Sequence, residues 1–282
     1  MSQKKIVNAR EEEDAVEEAA QLSPLLVFEA IRRAGEEELL RPNRALWFSG
    51  VTAGLLISFS IVGEAVFRVH LPDTEWRFLI ENFGYSFGFL LVILGRMQLF
   101  TENTITTVVP VMLECTAERG MAVLQLWMTV LAANVVGAFM IATFYAFTPV
   151  LSAELAAAFA ELSRHATGYG PWEGFVRAIP AGVLIAALVW MMPSTPGSLV
   201  ALIIIFTWLI ALGDFTHVVA GSVEMAFLVV RGELSLADGL FRFFLPVLAG
   251  NVVGGTLIFT ALAWAQIKAD LTQDGSEETL RP

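Results

Sequence analysis

The chain has 282 residues, 56% of them apolar and only 16% charged, with a mean hydropathy of +0.67. Soluble domains are about a quarter charged, so this composition describes a polytopic membrane protein. The net charge of −11 comes largely from "REEEDAVEE" and "DGSEE" near the two ends; these are solvated tails, not evidence for a cationic partner, and no nucleic-acid partner is expected. A single cysteine, Cys115, excludes an intrachain disulfide and a multi-thiolate metal site.

In chain order, residues 1–22 form an acidic tail expected to be mobile. Residues 23–44 carry Leu26, Phe28, Ile31, Leu39 and Leu40 at mixed helical spacing, which predicts an amphipathic helix on the membrane surface. The first 44 residues are polar and the first apolar run is long enough to remain in the bilayer, so no cleavable signal peptide is expected. Six apolar spans follow, at 45–67, 78–112, 120–147, 174–192, 198–230 and 239–266. They divide into a three-span unit (45–147), an extracytoplasmic loop (148–173), a second three-span unit (174–266) and an acidic C-terminal tail (267–282). An even number of spans puts both termini on one side, and Arg32, Arg33, Arg41 and Arg44 before the first span favour the cytoplasm.

The second and fifth spans are too long and too polar at mid-depth for plain helices. One contains "LGRMQLFTENTIT" (94–106) and the other "LGDFTHVVAGS" (212–222). The third and sixth contain "LAANVVGAFM" and "LAGNVVGGTL", so that Asn134 and Asn251, and likewise Gly137 and Gly254, lie 117 positions apart. The same offset carries Phe100 onto His217 and Arg96 onto Gly213. Duplication of a three-span unit makes the second copy enter the membrane inverted. Inverted repeats with a broken helix in each half are a transporter and channel signature. The predicted fold class is therefore all-α, with six transmembrane helices in two inverted three-helix repeats.

On "SP" opening the surface helix, "AG" (53–54), "LFT" (99–101), "NVVG" in both halves, a histidine at the second break and "RAIPAGVLIAALVW" (177–190), the chain resembles the formate–nitrite transporter family. "MQLFTENTIT" resembles a YfdC-like branch. The resemblance spans about Ser23 to Gln266. It implies an aquaporin-like protomer, a homopentamer with one pore in each protomer, a bacterial inner-membrane location, and a substrate such as formate, nitrite or hydrosulfide. It also implies that Leu99, Phe100 and Thr101 form a moving loop and that Thr101 faces His217. Leu99 with Phe89 would make a cytoplasmic apolar constriction, and Tyr85 with Ile210 an outer one. The chain departs from the family at the vestibule lysine, whose slot is about Ala166 with His165 and Arg164 beside it. It departs again at Gly182, Gln98 and Gly221.

His217, at the end of a half-helix, can pass a proton or a hydrogen bond to a weak-acid anion, or it can serve as a structural cap. Charged groups at mid-depth should face the interior. Arg96 and Asp214 therefore read as a salt bridge pinning the two breaks, or Arg96 as a substitute for the missing lysine. Alternatively Glu102 pairs with Arg96. Glu81 reads as hydrated near an interface; Glu64 and Glu224 read as inter-subunit contacts or as protonated acids. Asn134, Gly137, Asn251 and Gly254 read as helix-packing positions. The leading function is a channel or proton-coupled transporter for a small monovalent anion. The alternatives are a conduit for another solute or a cation, and a non-conducting scaffold closed by an Arg96 salt bridge. No catalytic triad, nucleotide loop or metal cluster is visible, so no enzyme activity, cofactor or metal is expected.

Overall fold

The computed structural model describes residues 22–273, which are mostly helical with no strand among them. The expected acidic tails lie outside the described residues, apart from 267–273. That stretch is not tail but the end of the last helix.

Helix α1 (Pro24–Leu40) begins where the Ser23 hydroxyl accepts a hydrogen bond from Leu26 N and proline occupies the first turn. Its buried residues Val27, Phe28, Ile31 and Gly35 share one face. That face packs on protein. Phe28 stacks on Trp264 at 5.2 Å, and a Cβ at Gly35 would fall 2.0 Å from Thr106 O. On the opposite face the Arg32 guanidinium, with Arg33 adding to it, holds the Glu29 carboxyl down at about 2.

Among the described residues, five helical runs are long and apolar enough to cross a membrane: Asn43–His70, Arg77–Leu94, Ala117–Phe147, Pro171–Ser194 and Leu236–Thr272. Two shorter apolar helices, Pro196–Leu212 and Val218–Val230, stand where one long fifth span was expected. In detail these are α2 (Asn43–Leu56) and α3 (Phe59–His70), α4 (Arg77–Phe83) and α5 (Ser86–Leu94), then the short α6 (Phe100–Thr106) and α7 (Val108–Leu113). Next come α8 (Ala117–Phe147), α9 (Ala153–Thr167), α10 (Pro171–Met191), α11 (Leu199–Leu212) and α12 (Val218–Val230). The last run opens with α13 (Leu236–Asp238) and passes through π-helical turns at Gly239–Phe244 and Val253–Thr260 to link α14 (Leu245–Val252) and α15 (Ala261–Gln273). Phe48, Met121, Met128, Phe147, Leu257 and Leu262 are exposed on these helices. An apolar exterior of this kind is matched to hydrocarbon or to another apolar surface.

Two close crossings organise the bundle. Added Cβ atoms would lie 2.1 Å from Asn134 O at Gly54 and 2.2 Å from Val51 O at Gly137, so α2 meets α8 backbone to backbone. Gly182 and Gly254 would meet Asn251 O at 2.3 Å and Ile179 O at 2.1 Å, and bring α10 equally close to the last run. Small residues are what permits such approach between helices.

The helix breaks are built alike. At the end of α5, Arg96 N bonds to Ile93 O and Met97 N to Val92 O; at the end of α11, Asp214 N bonds to Ala211 O and Phe215 N to Ile210 O. Both are Schellman closures, and their left-handed residues are Arg96 and Asp214, each at φ 51°. Here the repeat offset is 118, not 117: Arg96 corresponds to Asp214 and Phe100 to Val218. The second half is one residue shorter between its break and its asparagine, with separations of 33 against 34. Because an L-residue in the left-handed region costs about 1–2 kcal/mol relative to glycine, Arg96→Gly should stabilise the protein by about 1 kcal/mol. A rise in the thermal unfolding midpoint of the purified protein checks this.

The expected loop at 148–173 instead carries α9, capped by Ser152, whose hydroxyl accepts from Leu155 N. Its apolar side, including Phe159 and Leu162, is buried and Phe159 packs on Phe227 of α12 at 4.6 Å. An alanine-rich helix with one apolar stripe can be taken for a loop because it is too short and too polar to span.

Candidate pore and its two cavities

The centre of the molecule is where the two short helices begin. α6 starts after Leu99 and α12 after His217, and each start is held by an asparagine from a long helix. Asn134 Oδ1 accepts from Phe100 N at 3.0 Å, while its Nδ2 donates to Gly50 O and Gln98 O, both at 2.8 Å. Asn251 Oδ1 accepts from Val218 N at 2.8 Å, and its Nδ2 donates to Ala178 O at 2.8 Å and Thr216 O at 3.0 Å. The two asparagines therefore do more than pack helices. They fix the first N–H of each short helix and the last carbonyl group of each break.

His217 is 2% exposed. Its Nδ1 accepts from Ala220 N at 3.3 Å, capping α12. A neutral imidazole that accepts at Nδ1 carries its proton on Nε2, so Nε2 donates to Thr101 Oγ1 at 2.8 Å. Thr101 N and Val219 N, the second amides of α6 and α12, have no acceptor among the described residues. Around this point Phe89 meets the imidazole edge-on at 5.1 Å and Tyr85 packs on Phe89 at 5.2 Å. Leu99, Phe100 and Ile210 are buried in the same cluster.

A cavity of about 330 Å³ reaches His217 from the α9 side. Tyr85 lines it, whereas Phe89, Leu99, Phe100, Thr101 and Ile210 do not. On the α1 side a smaller cavity of about 60 Å³ reaches Leu99 and is bordered by Glu38 and Glu102. The two are separated by the buried apolar layer around Phe89 and Leu99.

The charged residues at the breaks part company. Arg96 is exposed and makes no ion pair among the described residues; it lines neither cavity. Asp214 accepts instead from His165 Nε2 at 2.9 Å. No salt bridge joins the breaks: Arg96 is exposed, and Asp214 is turned to His165 on α9. Glu102 is not the partner of Arg96 either: its Oε1 is buried without a hydrogen bond. In the larger cavity burial first, and then the Asp214 carboxylate, push the Tyr169 phenol up.

A sequence model described as "Formate/nitrite transporter" matches residues 26–265. "Inner membrane protein YfdC" of Escherichia coli (strain K12) is 42% identical over 254 residues, 90% of this chain and 82% of that protein. The chain belongs to the formate/nitrite transporter family. Two solved structures share its fold at 18% identity: an "FNT family ion channel" at TM-score 0.71, covering 86% of this chain and 98% of that one, and a "Pentameric formate channel with formate bound" at 0.68, covering 84% and 99%.

The family consists of transporters and channels rather than enzymes, and this chain is an integral membrane protein with their fold. In this member of the formate/nitrite transporter family the α9-side cavity also holds groups to which sequence reading gave no pathway role. Arg68 donates through Nε to Glu81 at 2.8 Å and forms an ion pair through Nη1 with Glu161 at 3.2 Å. Glu81, expected to be hydrated, is 3% exposed. Glu64 and Glu224 line the same cavity. Their signal was present in the sequence, since an ionisable residue inside an apolar span faces a lumen or a partner.

Proposed function

We propose that the protein carries small weak acids such as formate or nitrite across the bacterial inner membrane, binding them at the junction of α6 and α12. The observation that carries this reading is the convergence of donors there: His217 Nε2, the Thr101 hydroxyl and the unpartnered amides of Thr101 and Val219. Helix starts favour negative charge, and a carboxylate or nitrite accepts from several donors at once. The family and the formate-bound structural relative support the same substrate class. The matched closures at Arg96 and Asp214 and the matched asparagine clamps support an aquaporin-like protomer of two inverted three-helix repeats. The exposed apolar exterior supports assembly as a homopentamer in the lipid bilayer. The arginines of α1 support cytoplasmic termini, with the larger cavity facing outward.

The layer of Phe89 and Leu99 raises the barrier to a charged species and passes the neutral acid more readily. The carboxylates of the larger cavity act in the same sense by repelling the anion. His217 offers a hydrogen bond from Nε2 to the bound species, and the proton crosses on the neutral acid itself. In proteoliposomes, saturable formate uptake at fixed total concentration should rise about tenfold for each unit by which pH falls between about 8 and about 5, following the neutral fraction of a carboxylic acid above its pKa. Uptake that is pH-independent would remove proton coupling from the mechanism, and no formate or nitrite uptake at any pH would remove the substrate class.

A further inference from the structure

The α9-side cavity has an unbalanced charge. Five carboxylates line it, those of Glu64, Glu81, Glu161, Asp214 and Glu224, against the guanidinium of Arg68 and the imidazoles of His165 and His217. Arg68 is committed to Glu81 and Glu161. His165 is committed to Asp214, with the Tyr169 hydroxyl 3.1 Å from the same nitrogen. His217 is committed to Thr101 and Ala220. Nothing is left for Glu64 on α3 and Glu224 on α12. They are 6% and 7% exposed, both open into the cavity, and neither has a hydrogen-bond donor or ion-pair partner among the described residues. A buried carboxylate without donors is among the most expensive groups a protein can hold, and a paired cation removes much of that penalty.

The remaining walls indicate what kind of cation fits. Tyr85 directly follows Gly84, which packs on Glu64: an added Cβ at Gly84 would sit 2.5 Å from Glu64 N. Phe243 covers Gly221, one turn before Glu224, with its Cζ 2.4 Å from an added Cβ there. Both rings line the cavity. Carboxylates set among aromatic rings suit an organic ammonium, which gains from ring faces as well as from charge, rather than a strongly hydrated metal ion. The volume, about 330 Å³, lies at the lower end of small-molecule pockets.

We infer that the α9-side cavity is a binding site for a small organic ammonium ion, held between Glu64 and Glu224 against Tyr85 and Phe243. The site lies in the cavity that leads to His217, but it does not depend on the weak-acid reading, because binding is measured without flux. A seated ammonium offsets part of the excess negative charge, at the two carboxylates that have no other partner.

The test is calorimetric titration of the purified full-length protein with methylammonium chloride against sodium chloride at equal ionic strength. Saturable binding of methylammonium, absent for sodium, is expected. Glu64→Gln and Glu224→Gln should each weaken it by about tenfold or more, as loss of one member of a buried charge pair does. Should either variant aggregate, carbodiimide modification of the wild-type protein decides by mass spectrometry: methylammonium, but not sodium, should slow labelling at Glu64 and Glu224. Equal responses to the two salts, or binding unchanged in both variants, would overturn the site. So would absence of methylammonium binding to the wild type, which would mean that the two carboxyls carry protons instead.

Discussion

Replacing His217 with alanine should lower saturable formate uptake in proteoliposomes by about thirtyfold, the equivalent of roughly 2 kcal/mol for a hydrogen bond to a charged group. Alanine also removes the cap of α12, because Nδ1 accepts from Ala220 N, so the comparison that isolates transport is His217→Asn. Asparagine is a strong N-cap residue and can keep that bond, yet its amide is too short to reproduce the Nε2 contact to Thr101. His217→Asn should therefore keep its thermal stability within about 1 kcal/mol of wild type and still lose uptake. Arg96→Ala should transport at the wild-type rate, since Arg96 lines neither cavity and closes no salt bridge among the described residues. Flux that appears only on removal of Arg96 would restore the plugged-scaffold alternative. Uptake by His217→Asn equal to wild type would reduce His217 to a cap.

Asn251→Leu should destabilise the protein by about 3 kcal/mol, and Asn134→Leu by a similar amount. Each asparagine makes three buried hydrogen bonds to backbone groups, and in each set one amide and one carbonyl group, Phe100 N with Gln98 O and Val218 N with Thr216 O, lie at a break with no other partner among the described residues. Interhelical hydrogen bonds in membrane proteins average about 0.6 kcal/mol, which sets a floor near 2 kcal/mol for three. An unsatisfied buried amide or carbonyl group adds about 1–3 kcal/mol, which sets the excess. Leucine is close in volume, so little of the loss arises from a cavity. Unfolding by a denaturing detergent in mixed micelles measures it. A loss under about 1 kcal/mol would mean that the breaks hold without their clamps. Because the clamps position Phe100 and Val218, uptake should also fall in the folded fraction.

The clamps show where sequence reading stopped. The asparagines were visible as a repeated "NVVG", and their spacing with the glycines marked close packing. That reading accounts for Gly137 and Gly254 but not for the amide groups. Their targets lie 33 and 34 residues away at the breaks and 73 and 84 residues away on the preceding long helices, separations that no local pattern encodes. The repeat offset failed by one residue for the same reason. It was measured between the asparagines, while the breaks are placed by their own helix-closing turns.

The charged residues tell a similar story. An arginine and an aspartate following glycine within apolar sequence stand out, and pairing them is the natural electrostatic reading. Their shared φ of 51° has a different origin. The glycine ends each helix and the next residue takes the left-handed turn. His165, noted only as lying near the slot of an absent lysine, is the group that meets Asp214.

What the sequence determined by itself is the membrane class, the family and the two broken spans, because hydropathy, repeat spacing and short motifs are local and survive in one dimension; the facing of Thr101 and His217 followed from the family resemblance. What the tertiary structure decided is which polar groups remain without partners. Asp214 turns to α9, Arg68 is spent on Glu81 and Glu161, and Glu64 and Glu224 are left facing a cavity. Charge balance in a buried space is a sum over helices far apart in sequence, and it exists only once they are packed.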